Sequence, residues 1–261
     1  MLGGLLSAHY LSTVLPGASS RRDSVYLSKA IDLADRLLGA YTSRSGVPYA
    51  SIWLDSGEGV VSHADGGASS TAEVTTLQLE MKYLANLTGN EMNWRKAEHV
   101  MKVVDDNAAV DGLVPIFVDA NSGRFLTREI RLGSRGDSYY GALRLSWGLI
   151  RADASAEYLV KQFLQTGESI YEDMWLDALA GIEKHVVVPA AKSKLWIVAE
   201  LPQGVNGPVS SKMDHLVCFL PGSIAIGATG GLTEAEARKL PSWTKRKDRE
   251  MRLAREIVKT C

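Results

Sequence analysis

The chain has little that would commit it to a partner by charge. Its 29 Lys and Arg nearly balance 30 Asp and Glu, for a formal net charge of −1. No basic stripe stands out, so nothing attracts nucleic acid over long range, and no nucleic-acid partner is expected. Cysteine is scarce: Cys218 and Cys261 are the only two. Two cannot build a structural zinc site, and composition does not say whether they pair. No apolar run approaches the ~20 residues that cross a bilayer. The apolar start, MLGGLLSAHYLSTVLPGASS, ends in small residues as a signal peptide does. It has no Lys or Arg ahead of its apolar stretch, however, and His9 and Tyr10 interrupt it. The spacing of Leu2, Leu5, Leu6 and Leu11 suits a packed helix better. No fixed period of ~34 or ~40 residues is found, which argues against the common superhelical repeats.

What is present is helical pattern. From Ser24 to Tyr41, Leu27, Ala30, Ile31, Ala34, Leu37, Leu38 and Tyr41 recur at threes and fours, one face of an amphipathic helix. Further helices are predicted over Thr71–Leu87, Met92–Asp105, Asp137–Thr166, Tyr171–Val187, His215–Gly227 and Arg246–Lys259. The charges of the last (Lys245, Arg246, Lys247, Arg249, Arg252 and Arg255, broken by Asp248, Glu250 and Glu256) read as a solvated face. Between the helices lie Gly- and Pro-marked segments, Gly46–Val61, Asp111–Phe125 and Lys194–Gly204. Each holds a strand-like piece, such as Val114–Val118 or Leu195–Val198. Helix pairs with long structured connections suggest an all-α solenoid or a closed α/α barrel whose loops build a site on one face.

Four stretches resist explanation as packing alone: Leu2–Ala8 (LGGLLSA), Ser69–Glu80 (SSTAEVTTLQLE), Leu132–Tyr140 (LGSRGDSYY) and Lys212–Gly222 (KMDHLVCFLPG). With weaker support from Asp111–Phe117, they resemble glycoside hydrolase family 47, in one order along nearly the whole chain. These are inverting, calcium-dependent α-1,2-mannosidases that trim high-mannose N-glycans. The fourth stretch is similar to the processing branch of the endoplasmic reticulum (ER) and Golgi. The resemblance implies an all-α (α/α)7 barrel with short β-hairpins in its connections, with residues 1–261 forming about the middle half of that catalytic domain. It also implies a secretory-pathway lumen (ER or Golgi) and a parent with a type II membrane anchor.

The site residues follow from the same resemblance. Asp137 matches the family's essential carboxylate on the acid side, which protonates the leaving oxygen. An Asp ahead of an apolar helix is also a common N-cap. Arg135 matches a sugar-binding arginine, against an alternative as a plain surface charge. Glu73 matches a carboxylate near the sugar, while Ser70-x-x-Glu73 is also a capping box. His215 matches a histidine that contacts sugar, against the alternative of a satisfied core residue. Glu200 is a weaker substrate-binding candidate. Cys218 and Cys261 match the family's disulfide, which would close a loop of 43 residues and contribute at most ~4 kcal/mol. The sequon Asn86-Leu87-Thr88 permits glycosylation in the same lumen.

Three departures qualify the match. The family's Glu and Arg upstream of the LGGLLSA helix have no counterpart here. Nor have the general-base Glu of an Arg-Pro-Glu motif and the Thr that ligates Ca²⁺, so no metal ligand is assigned in this chain. The expectation is therefore an inactive partial site, with an inactive short isoform that binds glycan or a partner as the alternative. A helical scaffold with no site is the remaining reading. Lastly, the 16 residues 141–156 (GALRLSWGLIRADASA) interrupt a stretch that is continuous in the family. They read as an insertion of the kind a retained intron leaves. Carried as helix, at ~100° per residue, they would turn Leu159, Phe163 and Leu164 about 160° away from Tyr139 and Tyr140 unless they loop out or the helix repacks.

Overall fold

A computed structural model describes residues 1–17, 19–107, 109–140 and 158–261. Helix α1 (Leu2–Val14) packs on α2 (Ser24–Leu37), with Leu2, Leu6, Ala30 and Ala34 buried in one core. The apolar N-terminal stretch is thus a core helix in this fold. The periodicity of Ser24–Tyr41 holds, but its end tightens into a 3₁₀ turn, Leu38–Thr42. A hairpin follows, with β1 (Ser51–Trp53) antiparallel to β2 (Glu58–Val60).

The predicted helix Thr71–Leu87 is broken. After β3 (Ser69–Ser70), α3 runs Thr71–Val74 and α4 runs Gln78–Thr88. The break has a local cause. Val74, Thr75 and Thr76 are β-branched. Thr75 turns its hydroxyl back to the Thr71 carbonyl at 2.7 Å. The Gln78 amide then replaces backbone partners, accepting from the Leu77 N–H at 2.9 Å and donating to the Val74 carbonyl at 3.2 Å.

α5 (Glu91–Asp106) pairs with α4 across the two-residue turn Gly89-Asn90, and β4 (Phe117–Val118) lies within the long segment that follows. α6 (Asp137–Tyr140) and α7 (Tyr158–Thr166) stand where one helix, Asp137–Thr166, was predicted. The proposed insertion, 141–156, lies outside the described residues. Its flanks nevertheless share one core. Leu159 is buried with Tyr139 and Tyr140, and Phe163 packs against the same cluster. Of the three residues expected to turn away, Leu159 and Phe163 share this core and Leu164 is exposed.

α8 (Ser169–His185) ends before the run Val186-Val187-Val188, which turns into β5 (Val187–Pro189), antiparallel to β6 (Trp196–Val198). The 3₁₀ turn His215–Phe219 leads into α9 (Leu220–Thr229). Thr233 and Glu236 form a capping box on the short α10 (Glu234–Ala237), which the periodicity did not predict. α11 (Lys245–Val258) buries Met251, Ala254 and Ile257 and leaves most of its charges in solvent or ion pairs, as predicted, but Glu250 is buried and paired with Arg246. The stretch His215–Ala237 is long and apolar enough by composition to cross a membrane, which corrects the expectation that no stretch is. In this fold Leu220, Ile224 and Ile226 are buried in the core. The Cys218–Cys261 disulfide ties the start of α9 to the end of α11, with 5.7 Å between Cα atoms.

Contacts give the plan. α1 with α2, α4 with α5, α7 with α8, and α9 with α11 form pairs, while α1, α4, α7 and α9 touch in succession. The fold is a row of helix hairpins. Two of the connections at one end are short, Gly89-Asn90 and Gly167-Glu168. At the other end they are long, and they are stitched to each other. β3 pairs with β4, Ile130 bridges Leu201, and Glu200 bridges Ser210.

Candidate active site

All five site residues read from the sequence lie on or next to these stitched connections. Glu73 is in the first turn of α3, and its capping box is complete. The Ser70 N–H donates to Glu73 Oε2 at 3.0 Å, and the Glu73 N–H donates to Ser70 Oγ at 3.2 Å. The residue is still exposed, so capping leaves the carboxylate open to solvent. The Ala72 N–H donates to the Arg135 carbonyl at 2.9 Å. The helix that carries Glu73 therefore docks directly on the turn that carries Arg135 and Asp137.

That turn is tightly determined. The N–H groups of Gly136 and Asp137 both donate to the Gly133 carbonyl. Gly133 must be glycine, because a Cβ there would lie 2.5 Å from the Asp214 side chain. Asp214 Oδ2 accepts from the Ser134 N–H at 3.3 Å and from its hydroxyl at 3.2 Å. Arg135 has φ 74, a left-handed conformation unusual for a non-glycine residue. Its guanidinium lies 5.0 Å from the Phe117 ring and 2.5 Å from Asp65 Oδ2.

Asp137 opens α6. Its Oδ1 accepts from the Ser138 N–H at 2.9 Å, so its capping role is local. Its carboxyl is raised above the ordinary 3.8. Burial disfavours the charge, and the negative charge of Asp214 adds to this, against backbone hydrogen bonds. Asp214 moves the other way. Partial burial alone would raise it, but hydrogen bonds from Lys212 and Ser134 prevail and hold it below 3.8. Two carboxylates of one site thus have their proton affinities pushed apart, which is the usual mark of an acid beside a permanent anion.

His215 is exposed at the start of its 3₁₀ turn, so it is not the satisfied core histidine of the alternative reading. It follows Asp214 and so lies beside the Gly133–Asp137 turn. Glu200 is set apart from the other four. It is buried, and its carboxylate is held by Lys212 Nζ at 3.0 Å, with Arg131 Nε 3.5 Å away. Arg131 also reaches Ser134 Oγ at 3.2 Å and pairs with Glu129, and Lys212 reaches Asp214 at 3.2 Å. A polar chain therefore runs from Glu129 through Arg131, Glu200, Lys212 and Asp214 to Ser134, behind Arg135 and Asp137.

Reading the sequence missed Arg131, Lys212, Asp214 and Asp65. Lys212 and Asp214 lay inside the KMDHLVCFLPG stretch that carries His215, which was a usable signal. Arg131 and Asp65 carried none. Calcium takes six to eight oxygen ligands. Among the described residues, no three His, Cys, Asp or Glu side chains converge to hold a metal.

A row of helix hairpins with a polar face built on its long connections belongs to the α/α barrel class. Its fold is similar to that of the α-1,2-mannosidase from Trichoderma reesei, with a TM-score of 0.76 at 22% identity, over 98% of this chain and 47% of that one. That structure is an (α/α)7 barrel. Residues 1–261 match the model of glycosyl hydrolase family 47, and the chain belongs to that family. It is 48% identical to a mannosyl-oligosaccharide 1,2-alpha-mannosidase of Candida albicans. It is 46% identical to an endoplasmic reticulum mannosyl-oligosaccharide 1,2-alpha-mannosidase of Saccharomyces cerevisiae. Both matches take in the whole chain but only 42% and 45% of those proteins, so the chain spans under half their length.

Proposed function

We propose that this chain carries the Asp137 side of a glycosidase site that hydrolyses α-1,2-linked mannose from high-mannose N-glycans with inversion, in the lumen of the ER or Golgi. The parent is proposed to be a type II membrane protein. The observation that carries this reading is the Gly133–Asp137 turn docked on α3. Asp137, with its raised proton affinity, and Arg135 share that turn, and exposed Glu73 sits on the helix bonded to it, which supports the reading. The names of the relatives supply the substrate class and the compartment. The Cys218–Cys261 bridge suits an oxidising lumen. Asn86, exposed in the last turn of α4, is the proposed glycosylation site.

Each residue has a proposed task. Asp137 keeps its proton to a higher pH than a free carboxyl and delivers it, directly or through a water, to the leaving glycosidic oxygen. Arg135 and His215 donate to sugar hydroxyls, and Glu73 accepts from them. Glu200 works from behind through Lys212. The base that activates water on the opposite face is not assigned to this chain, and Ca²⁺ belongs to the family's full ligand set.

Calorimetry with α-1,2-mannobiose and α-1,6-mannobiose tests the reading. Saturable binding of the first and weaker binding of the second is the expected result. No binding, or equal binding of both, sinks it. In a calcium-supplemented assay this chain is expected to release no mannose, because the base on the opposite face is not among its proposed residues. Release that a chelator abolishes would overturn that expectation.

A further inference from the structure

We infer that Asp65 is a positioning residue for sugar recognition, acting through Arg135. The inference rests on the glycan reading above and adds a residue to it.

Arg135 is held at three points. Its carbonyl is fixed by the Ala72 N–H at 2.9 Å, which sets the backbone in its left-handed conformation. Its guanidinium lies over the Phe117 ring of β4. Asp65 Oδ2 takes Nη1 at 2.5 Å. The contact with Asp65 engages one nitrogen of a five-donor fork. The Arg135 side chain remains 39% exposed, against 14% for Asp65. The anion is the sheltered partner and the cation is the one presented to solvent. A plain surface ion pair would leave both partners exposed and mobile.

Asp65 is itself built into place. Ser62 Oγ donates to Asp65 Oδ2 at 3.1 Å and accepts from the Asp65 N–H at 3.2 Å. The Gly67 N–H closes the turn on the Ser62 carbonyl at 2.8 Å, and the Ala68 N–H donates to the Asp65 carbonyl at 3.1 Å. Gly66 and Gly67 supply the two positive φ values this turn requires. The chain then enters β3, whose partner β4 carries Phe117. The two groups that restrain the guanidinium are thus fixed relative to each other by one strand pair. A long, rotamer-rich side chain loses entropy when a ligand immobilises it. Restraining Arg135 beforehand removes that cost and aims its free donors at one set of hydroxyls.

The test uses Asp65→Asn in the full chain, with two readouts. Phenylglyoxal labelling of Arg135, followed by peptide mass spectrometry, reports the restraint without any ligand. Exposed Arg124 and Arg128 serve as internal references. Labelling of Arg135 should be several-fold faster in Asp65→Asn, and faster also in Phe117→Leu with Asp65 intact. Unchanged labelling in both variants overturns the inference. Affinity for α-1,2-mannobiose should fall about tenfold in Asp65→Asn. Adding Asp65→Asn to Arg135→Ala should cost nothing further, because the two residues act as one unit. Additive losses mean that Asp65 does not act through Arg135. If the unaltered chain binds no mannobiose, the glycan reading fails, and labelling alone decides whether Asp65 holds Arg135.

Discussion

Two clusters of charge sit at different depths in this molecule. One surrounds Lys82 on α4. Its side chain is fully buried, paired with Glu98 of α5 and with Glu168 at the start of α8, the latter at 2.9 Å. The Tyr171 hydroxyl accepts from the same ammonium at 2.9 Å, and the rings of Tyr171 and Trp94 lie 4.3 and 4.9 Å from it. The other is the chain from Glu129 to Ser134 on the stitched connections. It holds its cations, Arg131 and Lys212, nearer to solvent than Lys82, and leaves Arg131 Nε without a hydrogen bond. The first cluster joins three helices and directs nothing outward. The second stands behind the turn that presents Arg135 and Asp137. Charge buried between helices specifies packing, whereas charge on the connections fixes side chains that a ligand can reach.

The sharpest way to break that contrast is Lys82→Ala. Losing the cation strands two carboxylates and a buried phenol. Because Glu98 and Glu168 are about one-third exposed, a loss of about 3 kcal/mol is expected, at the low end for a broken buried pair. Urea denaturation measures it, and mannobiose affinity of the protein that remains folded should not change. A variant as stable as the parent would show that the helix cluster does not hold the packing.

Arg135→Gly is the converse test. Relief of the left-handed backbone is offset by the lost Asp65 pair and by glycine's freer unfolded chain, so stability should stay within about 1 kcal/mol. Mannobiose affinity should drop about tenfold. Loss of folding instead would move this residue to the stability side.

The smallest effect concerns pH. Asp137 has a raised carboxyl, so the folded state holds its proton more tightly than the unfolded chain. Its contribution to stability is complete below 3.8 and fades as pH rises through the higher folded value. Asp214 is lowered, so its contribution is present above 3.8 and fades as pH falls through the folded value. Asp137→Asn should therefore remove a destabilising slope on the alkaline side of 3.8, and Asp214→Asn a slope on the acid side. Stability curves recorded against pH for both variants check the two signs. Identical curves would mean that the two carboxyls share one environment.

Amphipathic spacing alone placed α2, α5, α8 and α11, and short motif stretches proposed Glu73, Arg135, Asp137 and His215 as candidates for one site. These were legible because helix faces and local motifs are written in consecutive residues. The break at Thr75–Leu77 was not legible, because side-chain hydrogen bonds there outcompete a helical pattern that continues in the sequence. Nothing in the sequence set Lys82 apart on its helix, or Asp65 in its connection. Their partners lie 86 residues away at Glu168 for Lys82, and in another connection at Arg135 for Asp65. Contacts of that range are decided only when the hairpins pack and the connections stitch together, because the strength of a charge pair depends on distance and burial that a linear chain does not specify.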